Sequence, residues 1–135
     1  MGRKFPAICF DIDGVLYRGK KLIPGADQVI RFLQEHGKIP FLLLTNGGGI
    51  PESERADVVN GILGLEGRHR LQGEQMVLCH TPFKRLVPDY KNKLIVVGGL
   101  HRPVEVAQLY GFEQVIDILE YSSVFPQLCN LGNLG

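Results

Sequence analysis

Apolar residues in this chain fall into short unbroken runs, separated by stretches in which they recur every three or four positions, and this alternation sets the expected elements. Phe5 to Phe10 and Ile39 to Leu44 have the length and composition of buried strands. Between them Pro24 suits a first helical turn, Val29, Ile30, Phe32 and Leu33 follow at helical spacing, and Gly37 supplies a stop. Gly14 to Gly19 is too short and too punctuated by glycine for a full helix. A strand, a crossover helix and a second apolar strand predict a βαβ unit with a right-handed connection, and hence a parallel sheet. Pro51 and Glu52 open a more polar helix through Val58, Val59, Ile62 and Leu63, with Arg55 and Glu54 expected at its surface. Gln75 to Cys79 follows as a third strand, and Phe83 to Leu86 as a short helix ahead of Pro88. The composition turns polar over Asp89-Tyr90-Lys91-Asn92-Lys93, where a boundary is expected. Beyond it Leu94 to Val97, Val104 to Tyr110 and Gln114 to Ile118 repeat the strand, helix, strand order. The expected class is α/β, with units at 1–90 and 91–130 and an unstructured tail at 131–135.

The chemistry gathers where the apolar runs stop. The first run ends in Asp11-Ile12-Asp13-Gly14. Side chains at i and i+2 of an extended segment share a face, so Asp11 and Asp13 can converge on one point beyond the strand end. Two close like charges call for a cation, and Mg²⁺ suits them, because it commonly takes one or two carboxylates together with water and substrate phosphate. Taken alone, Asp-x-Asp-Gly is equally the composition of an acidic turn. The second run ends in Thr45-Asn46-Gly47-Gly48-Gly49. Ligands of open α/β sheets bind beyond the carboxyl ends of strands, so topology directs this segment to the same place as the aspartates. There the Thr45 hydroxyl and the Asn46 and Gly47 amides can meet phosphate oxygens. Gly47-Gly48-Gly49 is not a dinucleotide fingerprint, and a plain loop is its ordinary meaning.

Composition narrows the field. With 135 residues the chain has room for one modest core, and its 15 basic and 14 acidic residues, net charge +1, are spread without blocks. No nucleic-acid partner is therefore expected. No apolar run approaches a membrane span, and the first strand starts too near Met1 for a signal peptide, so an intracellular protein is expected. Cys9, Cys79 and Cys129 are too few and too scattered for a disulfide framework or a zinc site, and Cys9 and Cys79 read as packed core residues. Lys20 and Lys21, the run Arg68-His69-Arg70, and His101-Arg102 at a glycine turn read as solvated charge. The last of these is also a candidate anion site. His80 reads as a cap of the segment that follows it.

The pair of strand ends resembles motifs I and II of the haloacid-dehalogenase-like phosphohydrolases: apolar strand-Asp-x-Asp-Gly-Val, then apolar strand-Thr-Asn. Ile23-Pro24-Gly25-Ala26 and Phe32-Leu33 through Gly37 are similar to the class IIA subfamily, which carries a large α/β cap after the third core strand. Glu74 to Pro82, Val96-Val97-Gly98-Gly99 and Tyr110-Gly111-Phe112 resemble its cat-eye-syndrome-critical-region-5-like branch. The resemblance covers roughly residues 5 to 130 and the front half of the family's usual length, whereas the tail from Cys129 does not resemble it. It implies a partial Rossmann-like core of three parallel strands, with the third outside the second, followed by the start of the cap. Gly14 to Gly19 would be a helical turn with a small flap.

The resemblance also implies a reaction, hydrolysis of a small phosphorylated metabolite. Asp11 is the nucleophile that forms an aspartyl phosphate, and Asp13 is the acid and base. Thr45, Asn46 and Gly47 bind the phosphate. Mg²⁺ is held by Asp11 and by Asp13, the latter through its backbone carbonyl. The family's later lysine and acidic pair find no matching context in Lys84, Lys91, Lys93, Asp117 or Glu120. Truncation, impaired catalysis, or a non-catalytic binding remnant is accordingly expected. A nucleotide-binding Rossmann-like module is a remote third reading, since it lacks its glycine fingerprint and ribose-binding acid. Cytoplasm or mitochondrion is the expected compartment, since relatives include mitochondrial proteins whereas this chain shows no Arg-rich transit segment, and the fusion of some relatives to CDP-alcohol phosphatidyltransferases hints at glycerophospholipid metabolism. With the family's fourth strand absent, the edge of the first strand is expected to favour self-association.

Overall fold

The computed structural model describes residues 6–128. Phe5, Cys129 and the 131–135 tail lie outside the described residues. The chain divides into two compact units, Met1–Thr81 and Pro82–Gly135. The polar stretch 89–93 falls inside the second.

In the first unit β1 (Ile8–Phe10), β4 (Phe41–Leu44) and β5 (Met76–Val77) form a parallel sheet in the order β1-β4-β5. The third apolar strand therefore lies outside the second, as expected. The register pairs Ile8 with Phe41 and Phe10 with Leu43, and then Leu43 with Met76. Asp11 and Thr45 thus leave the sheet at the same end.

The expected helical turn is closed by the Leu16 N–H on the Ile12 carbonyl at 2.9 Å, and the small flap after it is an antiparallel hairpin of β2 (Tyr17–Arg18) and β3 (Lys21–Leu22). Its turn has Gly19 at φ 63°, a left-handed conformation that glycine adopts without strain. The hairpin feeds α1 (Ala26–His36), which ends on Gly37 with its N–H bonded to the Leu33 carbonyl. That left-handed glycine terminus is the stop read from the sequence. A second helix, α2 (Glu52–Leu63), joins β4 to the region of β5 and ends on Gly64.

The core gathers Ile12, Leu16 and Tyr17 from the first loop, Ala26 and Ile30 from α1, and Leu43 from β4. Ala56, Val59 and Leu63 from α2 complete it with Leu65, Leu71 and Met76. The buried stripe of α1 is Ala26, Ile30 and Leu33, while Val29 and Phe32 are about half exposed. Cys9 and Cys79 are also exposed rather than packed in the core. The physical reason is shared. Apolar runs announce strands buried on both faces, but Leu44 at 47% exposure shows that one face stays partly bare among the described residues.

The second unit repeats the pattern on a smaller scale. β6 (Leu94–Val97) and β7 (Gln114–Asp117) pair in parallel, Leu94 with Gln114 through Val97 with Asp117, and α4 (Pro103–Tyr110) crosses between them. Short 3₁₀ turns over Thr81–Leu86 and the one-turn helix α3 (Val87–Tyr90) precede it, with Pro88 inside the helix rather than beyond it. Proline is accepted there because a first-turn N–H has no helical partner to lose. Val106, Ala107 and Phe112 are buried, and α5 (Ile118–Val124) follows β7 directly. Asp117 starts that helix by accepting the Leu119 amide at 2.8 Å, as N-cap aspartates do.

Candidate active site

The segment after β1 alternates across the chain in a way that exposes both carboxylates. Ile12 is wholly buried while Asp11 and Asp13 on either side of it are exposed. One apolar residue thus anchors the loop in the core and turns two acids outward. The Ile12 amide donates to Asp11 Oδ1 at 2.8 Å, a contact that steadies the first carboxylate. Asp13 forms an isolated parallel bridge with Tyr17, made by Tyr17 N–H to the Ile12 carbonyl and Gly14 N–H to the Tyr17 carbonyl. A bridge of this kind leaves the Asp13 carbonyl itself outside the ladder.

Beyond β4, Thr45 is buried, and its hydroxyl reaches Asp13 Oδ2 at 3.4 Å. The two strand ends therefore meet across the sheet. The Gly47 amide donates to Thr45 Oγ1 at 3.1 Å, so this amide is already engaged, whereas Asn46 is exposed. The loop is tied to β5 by Thr45 N–H to the Val77 carbonyl at 3.0 Å and by Cys79 N–H to the Gly47 carbonyl at 3.3 Å. A Cβ on Gly48 would stand 2.5 Å from Cys79 Sγ and 2.9 Å from the His80 ring. A side chain here would force Cys79 and His80 to shift, so glycine suits the close approach. The middle of the triple glycine has a packing reason that its composition did not disclose.

Residues that the sequence did not assign to the site complete the surroundings. Arg55, expected at the surface, instead places Nη2 3.1 Å from Asp13 Oδ2, with its side chain only 19% exposed. The signal was present in α2: Arg55 lies three residues after buried Glu52 and four before buried Val59, on the helix's inward stripe. Glu52 accepts the Thr81 hydroxyl at 2.8 Å, and Thr81 Oγ1 in turn accepts the Leu78 amide at 2.8 Å. Tyr17, whose aromatic body helps fill the core, has a buried hydroxyl with no hydrogen-bond partner among the described residues. Burial raises its pKa above the ordinary tyrosine value, with Arg55 opposing the shift and Asp13 adding to it.

Because the folded pKa of Tyr17 is the higher one, its contribution to stability is intact below the unfolded value near 10 and is lost as pH rises through the folded value. In an alkaline titration followed by tyrosinate absorbance, one of the four tyrosines is expected to ionise above the others. Loss of that late step in Tyr17→Phe would assign it, and four coincident steps would contradict the burial argument.

The expected charge elsewhere is solvated or paired. Lys20 and Lys21 lie exposed on the hairpin. His69 and Arg68 pair with Glu35 at 2.8 and 3.1 Å, and Arg70 pairs with Asp57. Arg102 binds Glu105 on the next turn of chain at 2.9 Å.

The donor set fits a hard divalent cation. Asp11 and Asp13 present exposed carboxylates at one strand end, and the Asp13 carbonyl lies outside the backbone ladder. Mg²⁺ accepts so small a protein contribution because water and phosphate fill its other positions. Among the described residues no cluster of three or more His, Cys, Asp or Glu side chains forms a fuller cage.

Comparison with known proteins agrees with this architecture. A mitochondrial hydrolase of Saccharomyces cerevisiae is 41% identical over 119 residues, which is 86% of this chain and 32% of that protein. A cardiolipin synthase (CMP-forming)/mitochondrial hydrolase fusion protein of Schizosaccharomyces pombe is 39% identical over 116 residues, 84% of this chain and 19% of that one. The chain therefore spans about a third or less of the length of these curated relatives. A crystal structure of a hypothetical protein from Pyrococcus horikoshii superposes with a TM-score of 0.67 at 28% identity, covering 89% of this chain and 44% of that one. The model of the haloacid dehalogenase-like hydrolases matches residues 8–113, a span that holds the paired aspartates, the Thr45 strand end, and β6 and α4 of the second unit. The chain belongs to the haloacid dehalogenase-like hydrolase family.

Proposed function

We propose that this chain carries the nucleophile and acid–base half of a phosphomonoester hydrolase acting on a small phosphorylated metabolite. The observation that supports the reading best is the approach of Thr45 Oγ1 to Asp13 Oδ2 at 3.4 Å, which joins the two motifs at one end of the sheet. An Asp11 carboxylate oxygen bonds to phosphorus as the ester P–O bond breaks, and the leaving oxygen takes the proton of Asp13. Water then attacks the aspartyl phosphate, Asp13 takes its proton, and inorganic phosphate leaves with Asp11 restored. Thr45, Asn46 and Gly47 hold the phosphoryl oxygens. The Gly47 amide must share or exchange its bond to Thr45 for this. The Asp11 carboxylate and the Asp13 backbone carbonyl would hold Mg²⁺, which when bound would supply charge neutralisation at the phosphate.

The lysine and acidic pair that the family resemblance assigns to later segments are not placed in this site by any described residue. Each such electrostatic group is commonly worth about a hundredfold or more. Release of p-nitrophenol from p-nitrophenyl phosphate is therefore expected to be Mg²⁺-dependent, abolished by EDTA, and several orders of magnitude below that of a relative carrying those groups. Turnover unaffected by chelation would defeat the reading.

The runner-up, a non-catalytic phosphate-binding remnant, is favoured by the lack of a fuller carboxylate cage among the described residues. It would show phosphate binding without ester cleavage. A mitochondrial setting is proposed from the names of the two yeast relatives, with a phospholipid precursor among the esters to try; fractionation of the tagged protein checks the compartment. Self-association through β1, which has no strand on its outer side among the described residues, is proposed as well. Sedimentation showing only a monomer at high concentration would refute it.

A further inference from the structure

Arg55 differs from the other arginines paired on this surface. Arg31, Arg68, Arg70 and Arg102 are 35%, 78%, 44% and 44% exposed in their ion pairs, whereas Arg55 is 19% exposed and its partner Asp13 is 55% exposed. Here the cation is the sheltered member and the carboxylate faces water. Arg55 Nε is buried without a hydrogen-bond partner among the described residues, a placement that costs stability. The guanidinium lies beside the Thr45–Gly49 loop, for a Cβ on Gly47 would stand 3.7 Å from Nη2. It reaches Oδ2 of Asp13, the oxygen that also meets the Thr45 hydroxyl, and neither contact uses Oδ1.

We propose that Arg55 is a positioning residue for Asp13: by holding Oδ2 it fixes the carboxylate's orientation and leaves Oδ1 as the oxygen that exchanges a proton with the leaving group. This rests on the hydrolytic reading given above. Arginine suits the task because its guanidinium stays charged and exchanges no proton itself, while its planar fork holds direction better than an ammonium. The effect is confined to the step that needs a proton donor.

Leaving-group dependence separates this role from simple charge or fold effects. An alkyl ester such as glycerol phosphate needs a proton on its leaving oxygen, whereas p-nitrophenolate departs without one. In the 135-residue chain, Arg55→Met is expected to lower kcat for glycerol phosphate about a hundredfold, within the range typical of general acid catalysis. For p-nitrophenyl phosphate the loss should stay below about fivefold, with KM of both esters little changed. Arg55→Lys, which keeps charge without the fork, should recover part of the alkyl-ester loss. Equal losses for both esters, or a rise in KM with kcat retained, would overturn the proposal. The contact has its own readout: the Arg55 Nε–Hε NMR signal of the wild type should shift in Asp13→Asn while distant amides hold, and an unmoved signal would overturn the contact. If the wild-type chain cleaves neither ester, the hydrolytic reading falls and the proton-transfer role with it, and the NMR result still decides whether Arg55 holds Asp13.

Discussion

Asp11→Asn is expected to remove at least about a thousandfold of any Mg²⁺-dependent phosphatase activity, because it replaces the attacking group itself. The substitution is a clean one. Asparagine has the same shape and keeps an oxygen to accept the Ile12 amide, which lies 2.8 Å from Asp11 Oδ1 in the wild type. Asp11 is exposed, and the buried residue of this segment is Ile12, so the core has no stake in the charge. What the amide lacks is a nucleophilic oxygen and a negative charge for the cation. Unfolding should therefore be nearly unchanged while p-nitrophenol release falls to background. Turnover retained in a folded Asp11→Asn protein would remove Asp11 from the nucleophile's role.

Asn60→Ala is expected to produce the largest loss of stability from a residue outside the site. Asn60 is 1% exposed on α2, donates from Nδ2 to the Leu71 carbonyl at 3.0 Å and accepts the Leu71 amide through Oδ1 at 2.8 Å. It thereby substitutes for a strand partner, satisfying both backbone groups of a residue that is itself only 2% exposed. Removing the side chain leaves a buried N–H and a buried C=O unpaired, each at a cost of about 1–3 kcal/mol. The sum, about 2–6 kcal/mol, is a large fraction of the stability of a small domain. Urea unfolding should show the free energy of unfolding fall by that amount, read as a lowered midpoint at unchanged slope. A midpoint unchanged in Asn60→Ala would mean that water replaces the amide at no cost.

Several features were legible before any coordinates because they depend on neighbours in sequence. Gly37 ends α1 in a left-handed conformation, and the apolar run Leu94–Val97 is β6. The spacing of Asp11 and Asp13 about Ile12 is likewise a property of extended backbone, which exposes both acids when the residue between them is buried. The order of the core strands followed from family resemblance rather than from periodicity. Where the reading failed, an apolar or charged residue was assigned by type alone. Cys9 and Leu44 are apolar yet exposed, since one face of the sheet is partly bare among the described residues. Arg55 is charged yet sheltered, since it stands on the inward stripe of α2. Ile118 was read as the end of a strand, whereas the Asp117 side chain caps the Leu119 amide and turns the chain into α5.

The sequence by itself determined the βαβ rhythm, the two acids at one strand end and the Thr-Asn at the next, because hydrophobic period and turn chemistry are local properties of the chain. Only the tertiary structure decided that the Thr45 hydroxyl and Arg55 guanidinium converge on one oxygen of Asp13, 32 and 42 residues away along the chain. It also decided that Asn60 serves the backbone of Leu71 and that a side chain on Gly48 would force Cys79 and His80 to shift. These are contacts between segments whose separation in sequence carries no distance information. They exist because the parallel register brings the carboxyl ends of β1 and β4 together and α2 packs its inward stripe into the same core.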